Sequence, residues 1–390
     1  MNSLKSSNQA NGPGWHGTGF YPAKSMTTTV QSAAIASHSL RLGFLALTDA
    51  APLVAAQELG LFAHHGLRVQ LNREAGWATI RDKIIFGELD AAPAPAPMLW
   101  AVQLGLDCAP AAVCTGLVLN LHGNAITLSN RLRAAGVHDA ATLRSEALRR
   151  RGENKLTFGV VFPFSAHHLQ LCQWLRAAGL DLERDVHLAI VPPAQMFRNL
   201  AAGTLDGYCA GEPWGSLAVQ QNEGWCPAWS AALAPGHVEK ILMVREDFAQ
   251  RRATEHAALI AALAAAASWC DEPHHRAQLA EMLASPLYLN LPARTIAPAL
   301  LGRFACGHGR VESVPDFHVF SRGDASAPTP ARASSLQAEL VAAGLVPRAR
   351  ADSSLPRRLF REDLYREAIV KLDPHAPTHT KLHGGALVPA

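Results

Sequence analysis

Gly203-Thr-Leu-Asp-Gly207 is the stretch that decides the fold, because it ends a helix-like run (194–202) and begins a short apolar run. One α/β unit consists of a helix that ends at a glycine, a short turn that contains Leu-Asp, and a buried strand. The same order of residues recurs at Gly87-Glu-Leu-Asp-Ala91, after a helix-like run at 79–86. The repeat predicts two similar α/β lobes. The alternative is a chance recurrence, since G-x-L-D is short and common.

The two strands of this repeat indicate where a ligand would bind. In open α/β sheets, ligands lie beyond the carboxyl ends of the strands. The turns that follow the two strands, at 95–98 and 211–214, are therefore expected to face one shared cleft. A later apolar run at 240–244 predicts a strand that returns to the first lobe.

The order of elements predicts an α/β protein with two lobes, a hinge and a central ligand cleft. The expected boundaries are a disordered segment at 1–38, lobe I at 39–117, lobe II at 118–244, a mostly helical return to lobe I at 245–372, and a tail at 373–390.

Composition narrows the function classes. The chain has 390 residues and 49% hydrophobic residues, enough for a sizeable core. Its net charge of +3 is too small to indicate nucleic acid or an anionic membrane as a partner. The seven cysteines form no C-x-x-C motif and stand mostly in apolar runs, which is typical of reduced, buried thiols. A cytoplasmic protein is expected.

The N-terminal segment supports the same location. Residues 1–38 are rich in Ser, Asn, Gly and Thr, and Lys5 is not followed by an apolar core of the length that a secretory signal needs. The longest apolar run, 257–267, is too short to cross a bilayer. The expectation is a protein without an export signal, although a lost or misassigned signal stays open.

Several polar residues stand at predicted helix starts or strand ends around the cleft. Helix starts present free backbone N–H groups and a partial positive charge, which suits a small anion. Indole, amide and imidazole N–H groups, a side-chain-free backbone amide and one full positive charge would add to this attraction. The candidate ligands are Trp77, Asn124, His168, Gly211 and Lys240.

Each candidate also has an ordinary structural explanation. Trp77 is equally well a half-buried core aromatic. A lone lysine such as Lys240 is most often a solvated charge. The pair His167-His168 is equally well one core and one surface histidine. No partner ligands stand at zinc spacing, so no metal is expected. No phosphate loop, G-x-S-x-G elbow or H-E-x-x-H motif is present, so an enzyme has little support.

Five segments of the chain closely resemble the nitrate-binding family of solute-binding proteins, and the resemblance extends over about 40–372. These segments are the long run LGFLALTDAAPLVAAQELGLFAHHGLRVQLNREAGWATIRDKIIFGELDAAPAPAPM (42–98), LNLHGNAITLS (119–129), FPFSAHHLQL (162–171), AGTLDGYCAGEPW (202–214) and HVEKILMVREDF (237–248). The resemblance implies a type II periplasmic-binding-protein fold.

The resemblance also implies a ligand. It places nitrate ligands at Trp77, Asn124, His168, Gly211 and Lys240, with His167 as the alternative to His168 if the register differs by one residue. The lysine favours nitrate or nitrite over bicarbonate, whose receptors in this family depend on calcium. No cofactor is expected.

The family contains two branches of different biology. One branch consists of receptors of ABC transporters, and the other of cytosolic nitrate/nitrite sensors, named NasS. Because no export signal is apparent, the resemblance favours the NasS-like branch. It implies a protein partner, a transcription antiterminator with an ANTAR RNA-binding domain (NasT-like), and no direct contact with nucleic acid or membrane. A transport receptor is the alternative, and an enzyme on the same fold is a third interpretation.

Overall fold

The computed structural model describes residues 39–152 and 154–372. The predicted disorder of 1–38 and the predicted tail at 373–390 lie outside these residues. In the described part, the strands are β1 Leu40–Phe44, β2 Val69–Arg73, β3 Ala91–Pro95, β4 Val113–Cys114, β5 Val118–His122, β6 Asn124–Ser129, β7 Leu156–Val160, β8 Val186–Ile190, β9 Gly207–Gly211, β10 Gly224–Trp229, β11 Val238–Arg245, β12 Arg303–Gly307, β13 Arg310–Ser313 and β14 His318–Val319.

The helices of the described residues alternate with these strands in the first two thirds of the chain and dominate the last third. They are α1 Ala51–Glu58, α2 Leu61–His64, α3 Trp77–Ile85, α4 Met98–Leu104, α5 Asn130–Ala134, α6 Ala140–Arg149, α7 Ala166–Ala177, α8 Pro193–Ala202, α9 Trp214–Gln220, α10 Ser230–Leu233, α11 Glu246–Arg251, α12 Ala253–Asp271, α13 Arg276–Ala284, α14 Ala293–Leu300, α15 Pro330–Ala342, α16 Leu355–Leu359 and α17 Glu362–Leu372. Short 3₁₀ turns lie at Thr48–Ala50, Pro273–His275 and Arg348–Arg350.

Two sheets carry the architecture. The first has the order β14-β5-β11-β3-β1-β2, with β4 beside β11. The second has the order β10-β6-β9-β7-β8. In each sheet the α/β units pair in parallel, β1 with β2 and β3, and β7 with β8 and β9, whereas β11 and β6 pair antiparallel to their neighbours. A separate hairpin, β12-β13, completes the strands.

The predicted internal repeat is present in the structure. α3 ends before Gly87 and α8 before Gly203, and both glycines have a left-handed backbone with φ of 74° and 84°. In both turns the backbone N–H groups of the two residues after the glycine donate to the same helix carbonyl. This carbonyl is that of Lys83 in the first lobe and that of Asn199 in the second. A residue with a Cβ is disfavoured at such a left-handed position, so glycine is the residue that ends each helix.

The chain passes from the first sheet to the second at Gly123, between β5 and β6. Gly123 has φ of 103°, and a Cβ there would lie 2.5 Å from the ring of His318. β11 pairs within the first sheet, as expected for a strand at 240–244 that returns to the first lobe. The predicted bounds of lobe II, 118–244, need correction, because they include this strand and also β5, which pairs in the first sheet as well. Hydrogen-bond pairing, which the sequence pattern does not report, decides this assignment.

The return segment after β11 is helical but also contains strands. Its longest helix, α12, packs against α1 and α17, and Leu259, Ile260 and Leu263 are fully buried there. Among the described residues α12 has the length and apolar composition of a membrane-spanning helix, yet 56% of that window is buried in the protein. Packing in the core explains its composition. The hairpin β12-β13 was not predicted, because short strands in an alanine-rich helical region give little periodic signal.

Candidate functional site

Lys240 occupies the centre of a buried polar cluster between the two sheets. Its side chain is fully buried on β11. The Nζ atom lies 2.8 Å from Asp49 Oδ2 and 2.5 Å from Glu239 Oε1, and 5.1 Å from the centre of the Trp77 ring. Burial by itself would lower the pKa of the ammonium, but the attraction of the two carboxylates outweighs it and the pKa is raised. Lys240 is therefore a charged group and not a solvated surface lysine.

Glu239 reaches the same cluster although it is the neighbour of Lys240 in a strand. Successive side chains of a strand point to opposite faces. The pairing of β11 with β5 shifts register on both sides of Lys240, and such irregularities re-aim side chains. They occur where Glu239 and Lys240 meet in an ion pair.

The carboxylate of Glu239 is tightly held. It accepts a hydrogen bond from Asn124 Nδ2 at 2.6 Å, lies 3.0 Å from His237 Nε2, and lies 3.5 Å from His167 Nε2. Burial would raise its pKa, but the charge of Lys240 and the contacts with both histidines place the pKa well below its usual value. Glu239 is therefore ionised.

Asp49 is the less constrained of the two carboxylates. It lies in the 3₁₀ turn before α1, and its side chain bonds Lys240 and caps no helix. Burial raises the pKa of Asp49, and the attraction of Lys240 compensates this only in part.

The two histidines of α7 have different environments. Ser165 Oγ accepts a hydrogen bond from the His168 backbone N–H and thereby caps the start of the helix. The His168 ring then turns to the Pro163 carbonyl, with Nδ1 2.6 Å from its oxygen. His167 instead is fully buried, and neither of its ring nitrogens has a hydrogen-bond partner within the described residues. The structure therefore places His167 in the cluster and His168 outside it.

His167 is a neutral group in this environment. Burial, the main cause, and the nearby Lys240 lower its pKa to about 3, although the Glu239 carboxylate acts in the opposite direction. A neutral imidazole has one N–H donor and one acceptor. His167 can therefore offer one hydrogen bond to a ligand without adding charge.

Trp77 and Gly211 adjoin the cluster from two different elements, the start of α3 and the end of β9. Trp77 begins α3 and is 1% exposed, and its Nε1 has no hydrogen-bond partner among the described residues. Gly211 ends β9, where an added Cβ would lie 3.5 Å from Asp49 Oδ2 and 3.7 Å from Asn124 Oδ1. These are ordinary contact distances, so a larger side chain at Gly211 would press against both residues.

Asn124 belongs to the cluster, but its side-chain NH2 group already donates two hydrogen bonds within the protein. It opposes Gly211 in the β6–β9 pairing. The Nδ2 group donates to Glu239 and to Gln170 Oε1, whereas Oδ1 is buried without a partner in the described part of the chain. The opposite amide orientation would direct Oδ1 at the Glu239 carboxylate and is excluded by charge. In this structure Asn124 positions Glu239.

The two sheets are joined beside this cluster by Thr48. Its backbone N–H and its hydroxyl both donate to the Glu212 carbonyl, at 2.8 and 3.1 Å. Since a hydroxyl has one proton, the contact of 2.8 Å with His318 Nε2 requires the ring N–H to donate to Thr48 Oγ1. The turn after β9 is thereby fastened to the start of α1.

Of the predicted site residues, four meet in this cluster: Trp77, Asn124, Gly211 and Lys240. Asp49 and Glu239 were not predicted as site residues. The sequence places Glu239 next to Lys240, but the alternation of side chains in a strand predicts that the two residues face opposite sides. Asp49 stands near a predicted helix start at the cleft, and this position is the only sequence feature that could have identified it. Within the described residues, no group of three His, Cys, Asp or Glu side chains is arranged to hold a metal ion.

Comparison with known proteins identifies the family. Residues 33–284 match the NMT1-like family. The chain belongs to the NMT1-like family. This membership, together with the relatives described next, confirms the predicted resemblance to nitrate-binding solute-binding proteins of the NrtA type. Nothing in these comparisons distinguishes the NasS-like branch.

Two relatives illustrate the range of this NMT1-like group. The nitrate/nitrite binding protein NrtA of Synechococcus elongatus is 32% identical over 338 residues, which cover 84% of this chain and 76% of NrtA. The bicarbonate transport ATP-binding protein CmpC of Synechocystis is 41% identical over 266 residues, which cover 68% of this chain and 40% of CmpC. The match spans between 40% and 51% of the length of these ATP-binding relatives.

The fold of the NMT1-like chain is that of a periplasmic binding protein. The crystal structure of the periplasmic nitrate-binding protein NrtA from Synechocystis has a TM-score of 0.82 and 28% identity, and the match covers 87% of this chain and 91% of that chain. The predicted two-lobed periplasmic-binding-protein fold is confirmed. Because this neighbour and NrtA of Synechococcus elongatus are binding proteins, they support a binding role rather than an enzymatic one.

Proposed function

We propose that this protein binds nitrate or nitrite between its two sheets, with the Lys240 ammonium as the charged donor. The observation that carries the proposal is a buried, charged lysine at the place where both sheets meet. Trp77 Nε1 and His167 add buried N–H donors that have no hydrogen-bond partner among the described residues. The relatives named for nitrate support the choice of anion.

The donors of this arrangement supply a large part of the binding free energy that a small monovalent anion needs. A micromolar dissociation constant corresponds to about 8 kcal/mol. A charge-assisted hydrogen bond contributes roughly 1.5–3 kcal/mol, and a neutral one roughly 0.5–1.5 kcal/mol. Lys240, Trp77 and His167 together supply roughly 2.5–6 kcal/mol on these values. The flat Trp77 face beside Lys240 also suits a planar oxyanion.

Calorimetry with the full chain tests the ligand. Sodium nitrate is titrated in a Tris–chloride buffer, and one site per chain is expected. Nitrite and bicarbonate, the latter with and without calcium, are titrated in parallel because the bicarbonate-transport relative is 41% identical. Absence of nitrate heat at every concentration up to about 10 mM, with a clear bicarbonate signal, would replace nitrate by bicarbonate as the ligand.

For the biology of the protein, we propose a cytoplasmic nitrate/nitrite sensor of the NasS type. All seven cysteines are free thiols and six of them are buried, which suits a reducing compartment. The sensor would hold an ANTAR-domain antiterminator inactive without ligand and release it with nitrate. Such a switch requires that the ligand bind the two states with different affinity. A tenfold change in partner affinity corresponds to about 1.4 kcal/mol.

The alternative function is the nitrate receptor of an ABC transporter, which the transport relatives favour. Fractionation of native cells separates the two proposals, because a receptor is recovered with the periplasm and a sensor with the cytoplasm. A pull-down of a candidate ANTAR-domain protein, with and without nitrate, then tests the sensor directly. Capture in both conditions at equal strength would contradict nitrate control.

A further inference from the structure

The anion site contains more negative than positive charge. Lys240 is its one ammonium among the described residues, and both Asp49 and Glu239 bond its Nζ atom. His167 stays neutral, since its pKa is about 3. The formal charge of the cluster is therefore negative before any ligand arrives. A nitrate ion placed beside Lys240 would meet two buried carboxylates at close range, where electrostatic interactions are strong.

The two carboxylates differ in how readily they can be neutralised. Glu239 keeps an Asn124 amide and a His237 ring in addition to Lys240, all of which favour its ionised form. Asp49 has Lys240 Nζ as its hydrogen-bond partner, and burial raises its pKa. Loss of the Asp49 charge thus breaks one contact, whereas loss of the Glu239 charge disturbs three.

Asp49 also lies beside the other residues to which the anion is assigned. Its Oδ2 is 2.8 Å from Lys240 Nζ and 3.5 Å from the position that a Cβ of Gly211 would take. The charged groups that act on Asp49 are Lys240 and Glu239 on β11. The other titratable groups at this junction are His167 on α7, which faces Glu239, and His318 on β14 and Glu212 after β9, which both bond Thr48, Glu212 through its carbonyl. The pKa of His318 is well below its usual value because of burial, so this ring is neutral as well.

We propose that Asp49 takes up one proton from solvent when the anion binds, so that the site accepts nitrate and a proton together. This inference rests on the proposed function. The proton bonds to Asp49 Oδ2, the Asp49–Lys240 ion pair opens, and the released Nζ–H turns to a nitrate oxygen. The new Asp49 O–H is then a second donor to the anion. Nothing is oxidised or reduced, and the site gains no net charge.

The test measures nitrate binding and proton uptake against pH. Calorimetry from about pH 6 to about pH 8.5 is expected to show a dissociation constant that rises about tenfold per pH unit, because one proton is linked to binding. A pH-stat titration of the unbuffered protein is expected to record about one proton taken up per nitrate bound.

Asp49→Asn is the decisive variant, because its amide cannot take up a proton but can still donate to the anion. We expect a flat pH profile, no proton uptake, and binding at least tenfold tighter than wild type at pH 8. Asp49→Ala serves as a second variant with the same flat profile, and circular dichroism checks that both fold. Glu212→Gln, which removes a different carboxyl with an elevated pKa, is expected to keep the wild-type slope.

Two results would overturn the inference. Nitrate binding with no proton uptake and an unchanged profile in Asp49→Asn would mean that Lys240 serves the anion with its third N–H. A slope that disappears in Glu212→Gln but persists in Asp49→Asn would assign the proton to Glu212. Absence of nitrate binding in wild type and Asp49→Asn alike, at every pH, would instead contradict the proposed function itself.

Discussion

At the scale of single residues, Lys240 shows how burial changes the meaning of a charge. Its sequence context admits a solvated lysine, and the structure encloses it with Asp49 and Glu239. Buried ions in proteins are stable when charges of opposite sign compensate them. Removing one member therefore leaves the others uncompensated, and the effect of a substitution at Lys240 concerns stability as well as binding.

Lys240→Gln is expected to abolish measurable nitrate binding and to lower the free energy of unfolding by about 3–5 kcal/mol, since two carboxylates lose their shared cation. The double variant Lys240→Gln/Asp49→Asn removes one charge of each sign. It should recover part of the stability and still not bind nitrate. Urea unfolding measures the first quantity and calorimetry the second. Equal stability of the single variant and wild type would contradict the buried ion pairs.

His167 and His168 form a natural matched pair for a second prediction. His167→Ala removes a buried ring from the cluster, and we expect nitrate binding to weaken at least tenfold. His168→Ala removes the bond to the Pro163 carbonyl and should cost about 1 kcal/mol of stability with little effect on affinity. Calorimetry and urea unfolding of both variants decide the matter. The opposite pattern would restore His168 as the ligand.

At the scale of elements, the site depends on where helices and strands begin and end. Trp77 begins α3, the Ser165 cap begins α7, and Gly211 ends β9. Each of these termini lies near the junction of the sheets, so the positions where the elements begin and end decide which side chains meet there. The 3₁₀ turn at Thr48–Ala50 joins this junction through its bonds to Glu212.

Thr48→Val tests the joint between these elements, which consists of the hydrogen bonds of Thr48 with the Glu212 carbonyl and His318. Valine keeps the shape but loses the hydroxyl, so that the His318 Nε2–H and the Glu212 carbonyl each lose a bond. A buried donor without a partner costs about 1–3 kcal/mol. We expect nitrate affinity to fall by about five- to tenfold, measured by calorimetry.

The control for Thr48→Val lies on a remote element. Thr142 belongs to the capping box that begins α6, where its N–H and hydroxyl both bond Asp139. Thr142→Val should lower stability by about 1 kcal/mol and leave the affinity unchanged. Loss of affinity in both variants would show that general destabilisation, and not the joint, controls binding.

At the scale of the whole molecule, buried titratable groups shape the dependence of stability on pH. Burial raises the pKa of Glu212 to about 7, from an unperturbed value of 4.5. A carboxyl whose pKa is higher in the folded state stabilises the protein fully below the unfolded pKa. That contribution is lost as the pH rises through the folded value. Glu212 therefore lowers stability progressively between about pH 4.5 and about pH 7.

Glu212→Gln should remove this loss. The variant minus wild-type difference in unfolding free energy is expected to grow by about 3 kcal/mol between pH 4.5 and 7, since each pKa unit corresponds to about 1.36 kcal/mol. The buried histidines titrate in both proteins and cancel in the difference. Urea unfolding over this range measures it, with exposed Glu88→Gln as the control. A constant difference would mean that Glu212 titrates normally.

Much of this molecule follows from local pattern alone. Helix ends and strand periodicity are local properties, so they depend on residues that are close together in the chain. This applies to the two G-x-L-D turns, the α/β order, the Ser165 cap and the strand around Lys240. The family resemblance uses the same short segments. These features determined the two-lobed fold and four residues of the candidate site.

Only the tertiary structure decided the charge of the site and its exact members. Asp49 meets Lys240 across 191 positions of sequence separation, and Glu239 reaches it through a register shift in β11. The choice between His167 and His168 depends on the rotation of α7, which one capping bond and the Pro163 carbonyl set together. Burial and Coulomb attraction act between residues that are near in space. A linear pattern therefore predicts where the chain turns, but not which charges meet.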